Sequence, residues 1–392
     1  MKAFLKITAL AGFVLAATAA SAQTVKIGLL SPFSGPFAVW GTQFKQSVEA
    51  FQKVHGDSVK GSKVEVIYRD NQGDPTRTRQ LAEELILREK VSFLTGFSLT
   101  PEALAVADLI TEAKIPAVIM NSGAAIITRK SPYFVRVSFS VNMFAIPIPA
   151  WFEKEKIKSV YLLISDYAPG HDVEGALLEG IKKMDVKVLG VERIPLSATD
   201  FAPYMERAAR ANPEVVYMFM PAGAPSIAIV REFAKRGLKE KGIKLAGSGE
   251  VQEMFLPAIG DDVVGTVSGF HYTETNTNPQ NQLLRKTLVE MFGPNTIPDS
   301  ASVAAWDGMR LMYDAIAELG PKITGDQFIK FAKGRAWDSP RGPISIDPEE
   351  REIIQNLYLR RVEKRDGKLV NIDIMTVPNV RDPWKLANPN AK

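Results

Sequence analysis

The chain has 392 residues, 46% of them hydrophobic and 23% charged, and it contains no cysteine. These are ordinary globular values, so they exclude a disordered chain, and the lack of cysteine excludes a disulfide framework or a lipid-modified cysteine. The formal net charge is only +4 and the basic residues are scattered singly, so no nucleic-acid partner is expected.

Met1–Ala22 is predicted to be a signal peptide. Lys2 and Lys6 give it a positive start, an apolar run too short for a comfortable membrane span follows, and Ala20-Ser21-Ala22 gives a small-x-small cleavage pattern. Cleavage is expected after Ala22, with the mature protein in the periplasm. The remaining chain is too long for one ordinary core, so about two domains are expected.

From Thr24 onward, strand and helix patterns alternate, which is typical of an α/β fold with doubly wound parallel sheets. The first predicted strand, Val25–Leu30, is apolar and is followed by turn-forming residues. Ligands of such sheets bind in the crevice beyond the carboxyl ends of the strands. Phe37 and Trp40, which follow this strand, are therefore candidate lining residues.

Further strands are predicted at KVEVIYR, VSFLTG and Ile115–Met120. The second leads to Ser98 and to Thr100, which can cap a helix, and the third leads to the small residues Asn121–Ala125. Exposed amides at a loop or helix start carry partial positive charge, so a ligand carboxylate would be stabilised there. A plain tight turn accounts for the small residues equally well.

From Asn142 the alternation starts again and predicts a second α/β lobe. Its strands are expected at VYLLISD, VKVLGVERI, VVYMFM, IKLAGSG and VSGF. Its Gly-bearing loops would face the cleft from the other side. Beyond Tyr272 follow two long helical patterns, a shorter one, and a closing hairpin around Asp366-Gly367.

The whole mature chain resembles a type I periplasmic solute-binding protein of the leucine-isoleucine-valine-binding branch that serves ABC transporters. The resemblance covers nearly all of the chain in the family's order. The matching stretches are KIGLLSPFSGPFAVWG, YRDNQGDPTRTRQLAEELI, FLTGFSLTPEALAVADL, IPAVIMNSGAA, VYLLISDYAPG, DFAPYMERAARANPEVVYMF and LAGSGE.

The resemblance implies two lobes joined by three crossovers. The amino-terminal lobe would comprise residues 23–143 and 274–348, and the carboxy-terminal lobe residues 144–273 and 349–392. A ligand binds between open lobes, closure in the manner of a Venus flytrap buries it, and the closed form docks on an inner-membrane permease. No cofactor or metal is implied, and a monomer is expected.

The resemblance also implies the first-lobe binding residues. Trp40 stands at the aromatic wall, and Ser98 and Thr100 match the loop that holds a ligand carboxylate. In the next loop, Ala125 replaces a hydroxyl residue that normally helps to hold an α-amino acid head group. The first-lobe candidates are Phe37, Trp40, Ser98, Thr100, Ser122, Ala124 and Ala125.

In the second lobe, Glu250 matches the acid that meets the α-ammonium group in the amino-acid binders. Pro169 and Ala222 stand where those binders use aromatic side chains, and Tyr167 is a nearby aromatic residue. Glu250 favours an amino acid, whereas the changes at Ala125, Pro169 and Ala222 favour an aromatic acid without an amine.

No catalytic activity is expected. The chain has only 3 histidines and lacks the G-x-S-x-G, H-E-x-x-H and P-loop patterns, and Asp166, His171 and Asp172 have no nucleophile beside them. The predicted function is capture of a small apolar or aromatic carboxylate for an ABC uptake transporter. Branched-chain amino acids, aromatic amino acids and aromatic acids all stay open. The alternative is a periplasmic ligand-sensing module that reports to a membrane receptor kinase.

Overall fold

Two β-sheets, each covered by helices, form two lobes in the computed structural model, which describes residues 23–221 and 223–391. The predicted signal peptide Met1–Ala22 and the candidate site residue Ala222 lie outside the described residues. Within the described ranges, no helix combines the length and the apolar character needed to cross a membrane.

Six strands form the sheet of the first lobe: β1 (Thr24–Ser31), β2 (Ser58–Val59), β3 (Ser62–Asp70), β4 (Phe93–Gly96), β5 (Ala117–Ile119) and β6 (Phe134–Arg136). Their order is β2-β3-β1-β4-β5-β6, and every pairing is parallel except that of β2 with β3. The sequence did not predict β2 or β6, which are only two and three residues long. The predicted parallel sheet is confirmed.

Helices cover both faces of this sheet. The early ones are α1 (Ala38–His55), α2 (Pro75–Leu87), α3 (Thr100–Ala105), α4 (Ala107–Ala113) and α5 (Ile127–Lys130). The second helix begins as its Asp-Pro pair indicates, because the Asp74 carboxylate accepts a hydrogen bond from the Arg77 N–H at 2.6 Å.

Nine strands form the sheet of the second lobe: β7 (Ser159–Ser165), β8 (Lys187–Ile194), β9 (Val215–Phe219), β10 (Lys244–Gly247), β11 (Val267–Phe270), β12 (Ala336–Ser339), β13 (Gly342–Ile346), β14 (Ile353–Arg365) and β15 (Lys368–Val380). Strands β7 to β11 pair in parallel, whereas β12 to β15 add antiparallel pairs at one side. The sheet is therefore mixed, with the predicted parallel part next to the cleft.

The helices of the second lobe are α6 (Pro147–Glu155), α7 (Ala168–Ile181), α8 (Ala202–Ala211), α9 (Ala224–Lys235) and α10 (Leu256–Ile259). The chain then returns to the first lobe through α11 (Pro279–Phe292), α12 (Ser300–Leu319) and α13 (Gly325–Ala332), of which α11 and α12 pack on α1. A last short helix, α14 (Pro383–Ala387), follows β15.

The lobe boundaries remain predictions, although β12 and β13, which lie within the segment assigned to the first lobe, pair in the second sheet. Arg341, in the turn between these two strands, is fully buried where the lobes join. It donates to the Asp307 carboxylate on α12 at 2.6 Å and to the carbonyl oxygens of Val137 and Ser138 at 2.6 and 2.8 Å. One guanidinium thus ties the second-lobe hairpin to a first-lobe helix and to the first crossover.

Hydrogen bonds also cross directly between the facing surfaces of the lobes. They join Gln43 Nε2 to Met254 Sδ at 3.2 Å, Ser300 Oγ to Gln252 Oε1 at 3.1 Å, and the Ala125 N–H to Asp172 Oδ2 at 3.0 Å. Since the first member of each pair lies in the first lobe and the second in the other, the two lobes are in direct contact through their facing surfaces.

Candidate ligand-binding cleft

The candidate residues lie at the carboxyl ends of neighbouring strands in both sheets. Strands β1, β4 and β5 are adjacent in the first sheet, and β7, β9 and β10 are adjacent in the second. The loops and helix starts that follow these strands carry the residues named from the sequence, apart from Ala222, whose position is not described. Loops at such strand ends are where open α/β sheets bind ligands.

The loop after β4 has an unusual backbone. A Cβ on Gly96, whose φ is +99°, would lie 2.2 Å from the carbonyl oxygen of Leu30, so only glycine fits. Phe97 is buried with a φ of +60°, a conformation that costs energy for a residue with a bulky side chain. Ser98 follows, with its Oγ 2.8 Å from Ser31 Oγ and its N–H donating to Glu102 Oε2 at 2.8 Å.

Thr100 and Ser122 join this loop to the loop after β5. Thr100 Oγ1 accepts a hydrogen bond from the Ala124 N–H at 3.2 Å. Ser122 Oγ donates to the carbonyl oxygens of Phe97 and Leu99 at 2.8 and 2.7 Å. The two predicted binding loops therefore form one rigid unit, in which both hydroxyl groups bond to the protein backbone.

An arginine that the sequence analysis missed supports this unit. Arg136, at the end of β6, is fully buried and donates to the carbonyl oxygens of Ser122 and Ala124 at 2.7 and 3.0 Å. The apolar pair Phe134-Val135 before it was a weak strand signal, and no local pattern points from Arg136 to a loop 12 to 14 residues away.

Aromatic pairs lie in both lobes. In the first lobe, the rings of Phe37 and Trp40 are stacked with centroids 5.4 Å apart and planes at 3°. In the second lobe, Tyr167 stacks on Phe219 at 6.3 Å and 24°. Phe37 and Tyr167 are half-buried, so each pair has a partly accessible ring, and Pro169 is buried in the first turn of α7.

Glu250 is fully buried at the ends of β9 and β10. Its Oε1 accepts a hydrogen bond from the Met220 N–H at 2.8 Å, and its Oε2 accepts one from the Ser248 N–H. Burial raises the pKa of Glu250 to about 7. The carboxyl group thus ties two strand ends together, and both of its oxygens are engaged by the protein.

The sequence analysis grouped Asp172 with Asp166 and His171, but the structure separates them. His171 forms an exposed pair with Asp166, whose atoms Nε2 and Oδ1 are 2.8 Å apart. Asp172 instead reaches across to the Ala125 N–H, and burial raises its pKa to about 6. Within residues 23–221 and 223–391, no group of three acidic or histidine side chains could hold a metal ion.

The chain matches a family described as "Periplasmic binding protein" over residues 24–368. It is 39% identical to the "Leu/Ile/Val-binding protein homolog 6" of Brucella melitensis over 96% of this chain and 97% of that protein. A solute-binding protein of an ABC transporter from Rhodopseudomonas palustris HaA2, solved with p-hydroxybenzoic acid, is 40% identical, with a TM-score of 0.90 over 93% of this chain and 100% of that one. Another from R. palustris BisB5, solved with 3,4-dihydroxybenzoic acid, is 39% identical, with a TM-score of 0.88 over 92% and 99%.

Proposed function

We propose a function for this chain, which belongs to the type I periplasmic binding protein family. It is the substrate-binding component of an ABC uptake transporter, and it captures an aromatic monocarboxylate without an α-amino group. The ligand would bind between the strand-end loops of the two lobes, and a membrane permease would receive it from the closed protein.

The observation that carries the ligand class is the burial of Glu250. A buried α-ammonium group needs a charged partner, because burying an unpaired charge costs several kcal/mol or more. Glu250 is fully buried, and burial raises its pKa to about 7 although each of its oxygens accepts a backbone hydrogen bond, so the group is only partly ionised at neutral pH. This arrangement favours a ligand that brings no ammonium group.

The remaining groups suit an aromatic carboxylate. The half-buried faces of Phe37 and Tyr167, one in each lobe, can pack against a flat ring. The Ala125 N–H already donates to a carboxylate oxygen, that of Asp172. The hydroxybenzoate ligands of the R. palustris proteins support this ligand class, whereas the name of the B. melitensis relative keeps branched-chain amino acids as the competing class.

Thermal unfolding of the mature protein with a panel of ligands tests the proposal. The panel pairs benzoate, 4-hydroxybenzoate and 3-phenylpropanoate with leucine, isoleucine and phenylalanine. A ligand at a concentration of 100 Kd stabilises the folded state by about 2.7 kcal/mol, so hits raise the Tm. We expect the aromatic acids to raise it, with 3-phenylpropanoate more effective than phenylalanine. A rise with the amino acids alone would refute the ligand class.

We also propose that the mature protein starts at Gln23 in the periplasm. Intact-mass measurement of protein released by osmotic shock from its native host tests this directly. A periplasmic protein that still carries Met1–Ala22, or one found only in the cytoplasm, would contradict the proposal.

A further inference from the structure

We infer that Arg136 is a positioning residue that turns two amides of the first-lobe loop Ser122–Ala125, those of Gly123 and Ala125, toward the carboxylate of the ligand. This inference rests on the proposed function in one respect only, namely that the ligand carries a carboxylate.

The guanidinium of Arg136 donates hydrogen bonds to the loop and is itself held by an ion pair with Glu352. Its Nη1 donates to the carbonyl oxygens of Ser122 and Ala124 at 2.7 and 3.0 Å. Its Nε and Nη2 donate to the two carboxylate oxygens of Glu352 at 2.7 and 2.6 Å. A bidentate pair of this kind fixes the plane of the guanidinium as well as its position.

Peptide geometry then determines where the loop amides point. In a trans peptide unit the C=O and the N–H point in opposite directions. The carbonyl of Ser122 shares its unit with the N–H of Gly123, and the carbonyl of Ala124 shares its unit with the N–H of Ala125. Because both carbonyls point at Arg136, both of these N–H groups point away from it.

The hydrogen bond of Ala125 shows what lies on that side of the loop. Its N–H donates to Asp172 Oδ2 in the second lobe at 3.0 Å, so this side faces the opposite lobe. The acceptor is a carboxylate oxygen, the same group that the proposed ligand offers, so the ligand carboxylate would replace Asp172 as the acceptor of this hydrogen bond. Gly123 is tightly confined, since a Cβ there would lie 2.5 Å from Val141 Cγ1.

A second cation holds the counter-ion of Arg136. Lys385 on α14 is 4% exposed and donates to Glu352 Oε2 at 2.7 Å and to the Thr128 hydroxyl. Burial alone would raise the pKa of Glu352, but Arg136 and Lys385 hold it below its usual value. Glu352 therefore stays ionised at neutral pH, and Arg136 stays locked between it and the loop.

The test compares carboxylate with carboxamide binding in Arg136→Lys. A lysine ammonium keeps the charge but cannot reach two carbonyls and a carboxylate in one plane. Calorimetric affinities are measured for benzoate and for benzamide, which differ only in the group that the loop amides would meet. We expect the preference for benzoate to fall about tenfold, the weight of one hydrogen bond to a charged group. An unchanged preference would overturn the inference, even if both affinities drop.

Arg341→Lys is the matched control. Arg341 is just as buried and also binds a carboxylate and two backbone carbonyls, but those belong to the crossover and not to the loop. The Arg341→Lys variant should keep the wild-type preference for benzoate over benzamide. If Arg136→Lys does not fold, Glu352→Gln, which frees one side of the guanidinium, should reduce the preference by a smaller factor, and no reduction would overturn the inference.

The test of Arg136 can fail while the proposed ligand class holds, and the reverse is also possible. If the wild-type protein binds leucine and not benzoate, the proposed ligand class fails, but leucine and leucinamide then replace benzoate and benzamide. Arg136 should govern the preference for that carboxylate in the same way, and an unchanged leucine to leucinamide ratio in Arg136→Lys would overturn the inference.

Discussion

Trp40 follows strand β1 in the first turn of α1; it is 7% exposed, and its ring is stacked on that of Phe37. Trp40→Ala should weaken binding of an aromatic acid by about fivefold, because a stacked aromatic contact contributes about 1 kcal/mol beyond the area that it buries. Calorimetry with 4-hydroxybenzoate measures the loss. Trp40→Phe, which keeps a flat ring, should retain most of the affinity. Unchanged binding in Trp40→Ala would remove Trp40 from the site.

Glu250 should make the stability of the protein depend on pH. Its folded-state pKa of about 7 lies above the ordinary value of 4.5, so the folded state binds the proton more tightly. Its contribution to stability is greatest below pH 4.5 and is lost as the pH rises through 7. Between pH 6 and 8 the wild type should lose about 1 kcal/mol that Glu250→Gln does not lose.

Thermal unfolding at the two pH values measures this difference. The exposed Glu179→Gln is the control and should behave as the wild type does. If Glu250→Gln shows the same dependence on pH as the wild type, Glu250 does not hold its proton in the folded state.

The positions of Trp40, Ser98 and Glu250 at strand ends could be predicted, because a strand followed by a turn is a local pattern. The roles of Arg136 and Asp172 could not. Their partners are Glu352 and Ala125, 216 and 47 residues away, and only the folded chain brings them together. The sequence also could not show which polar groups of the site already form hydrogen bonds within the protein.

At the scale of elements, α14 and the residues that follow it contact Arg129 on α5 of the first lobe. Just after α14, the carbonyl oxygens of Asn388 and Ala391 accept hydrogen bonds from Arg129. The ring of Trp384 also lies 5.5 Å from the Arg129 guanidinium. The helix thus fastens the end of the second-lobe sheet to the first lobe.

Lys385→Met should be strongly destabilising. Glu352 keeps Arg136 as a partner, so the loss should be that of a buried hydrogen bond to a charged group, about 2 kcal/mol. Lys364→Met is the matched control, since Lys364 pairs with Asp261 on the exposed surface, where such pairs contribute about 1 kcal/mol or less. Urea unfolding compares the two variants. Similar losses would mean that the carboxyl-terminal helix does not stabilise the lobe contact.

Long periodic elements were the easiest to predict. The hairpin around Asp366-Gly367 was found, although β14 and β15 run to 13 residues each, beyond the predicted strands. The hairpin of β12 and β13 was missed, because Gly and Pro interrupt strands of four and five residues. Their pairing with β14 depends on contacts that no local pattern encodes.

At the scale of the whole molecule, the alternation of strands and helices and the ordered motifs were enough for the two-lobed fold. They could not show that the lobes meet through Asp172. With the lobes in contact, burial raises the pKa of Asp172 to about 6, although the hydrogen bond from the Ala125 N–H lowers it. Asp382 raises it further, and Arg136 and His171 lower it. When the lobes part, Asp172 should return toward its ordinary value of 3.8.

The closed form therefore binds a proton more tightly at Asp172, so acid should favour closure. Affinity for an aromatic carboxylate should rise about fourfold from pH 7.5 to 5.5, and Asp172→Asn should remove this rise. Calorimetry at both pH values measures it. An equal rise in wild type and Asp172→Asn would show that other groups are responsible.

Direct calorimetric titration of the mature protein with 4-hydroxybenzoate, and with leucine under the same conditions, tests the central claim most directly. We expect saturable one-to-one binding of 4-hydroxybenzoate and no measurable heat from leucine, because Glu250 is buried and only partly ionised at neutral pH. Tight binding of leucine with no binding of 4-hydroxybenzoate would contradict this claim and would make Glu250 the partner of an ammonium group.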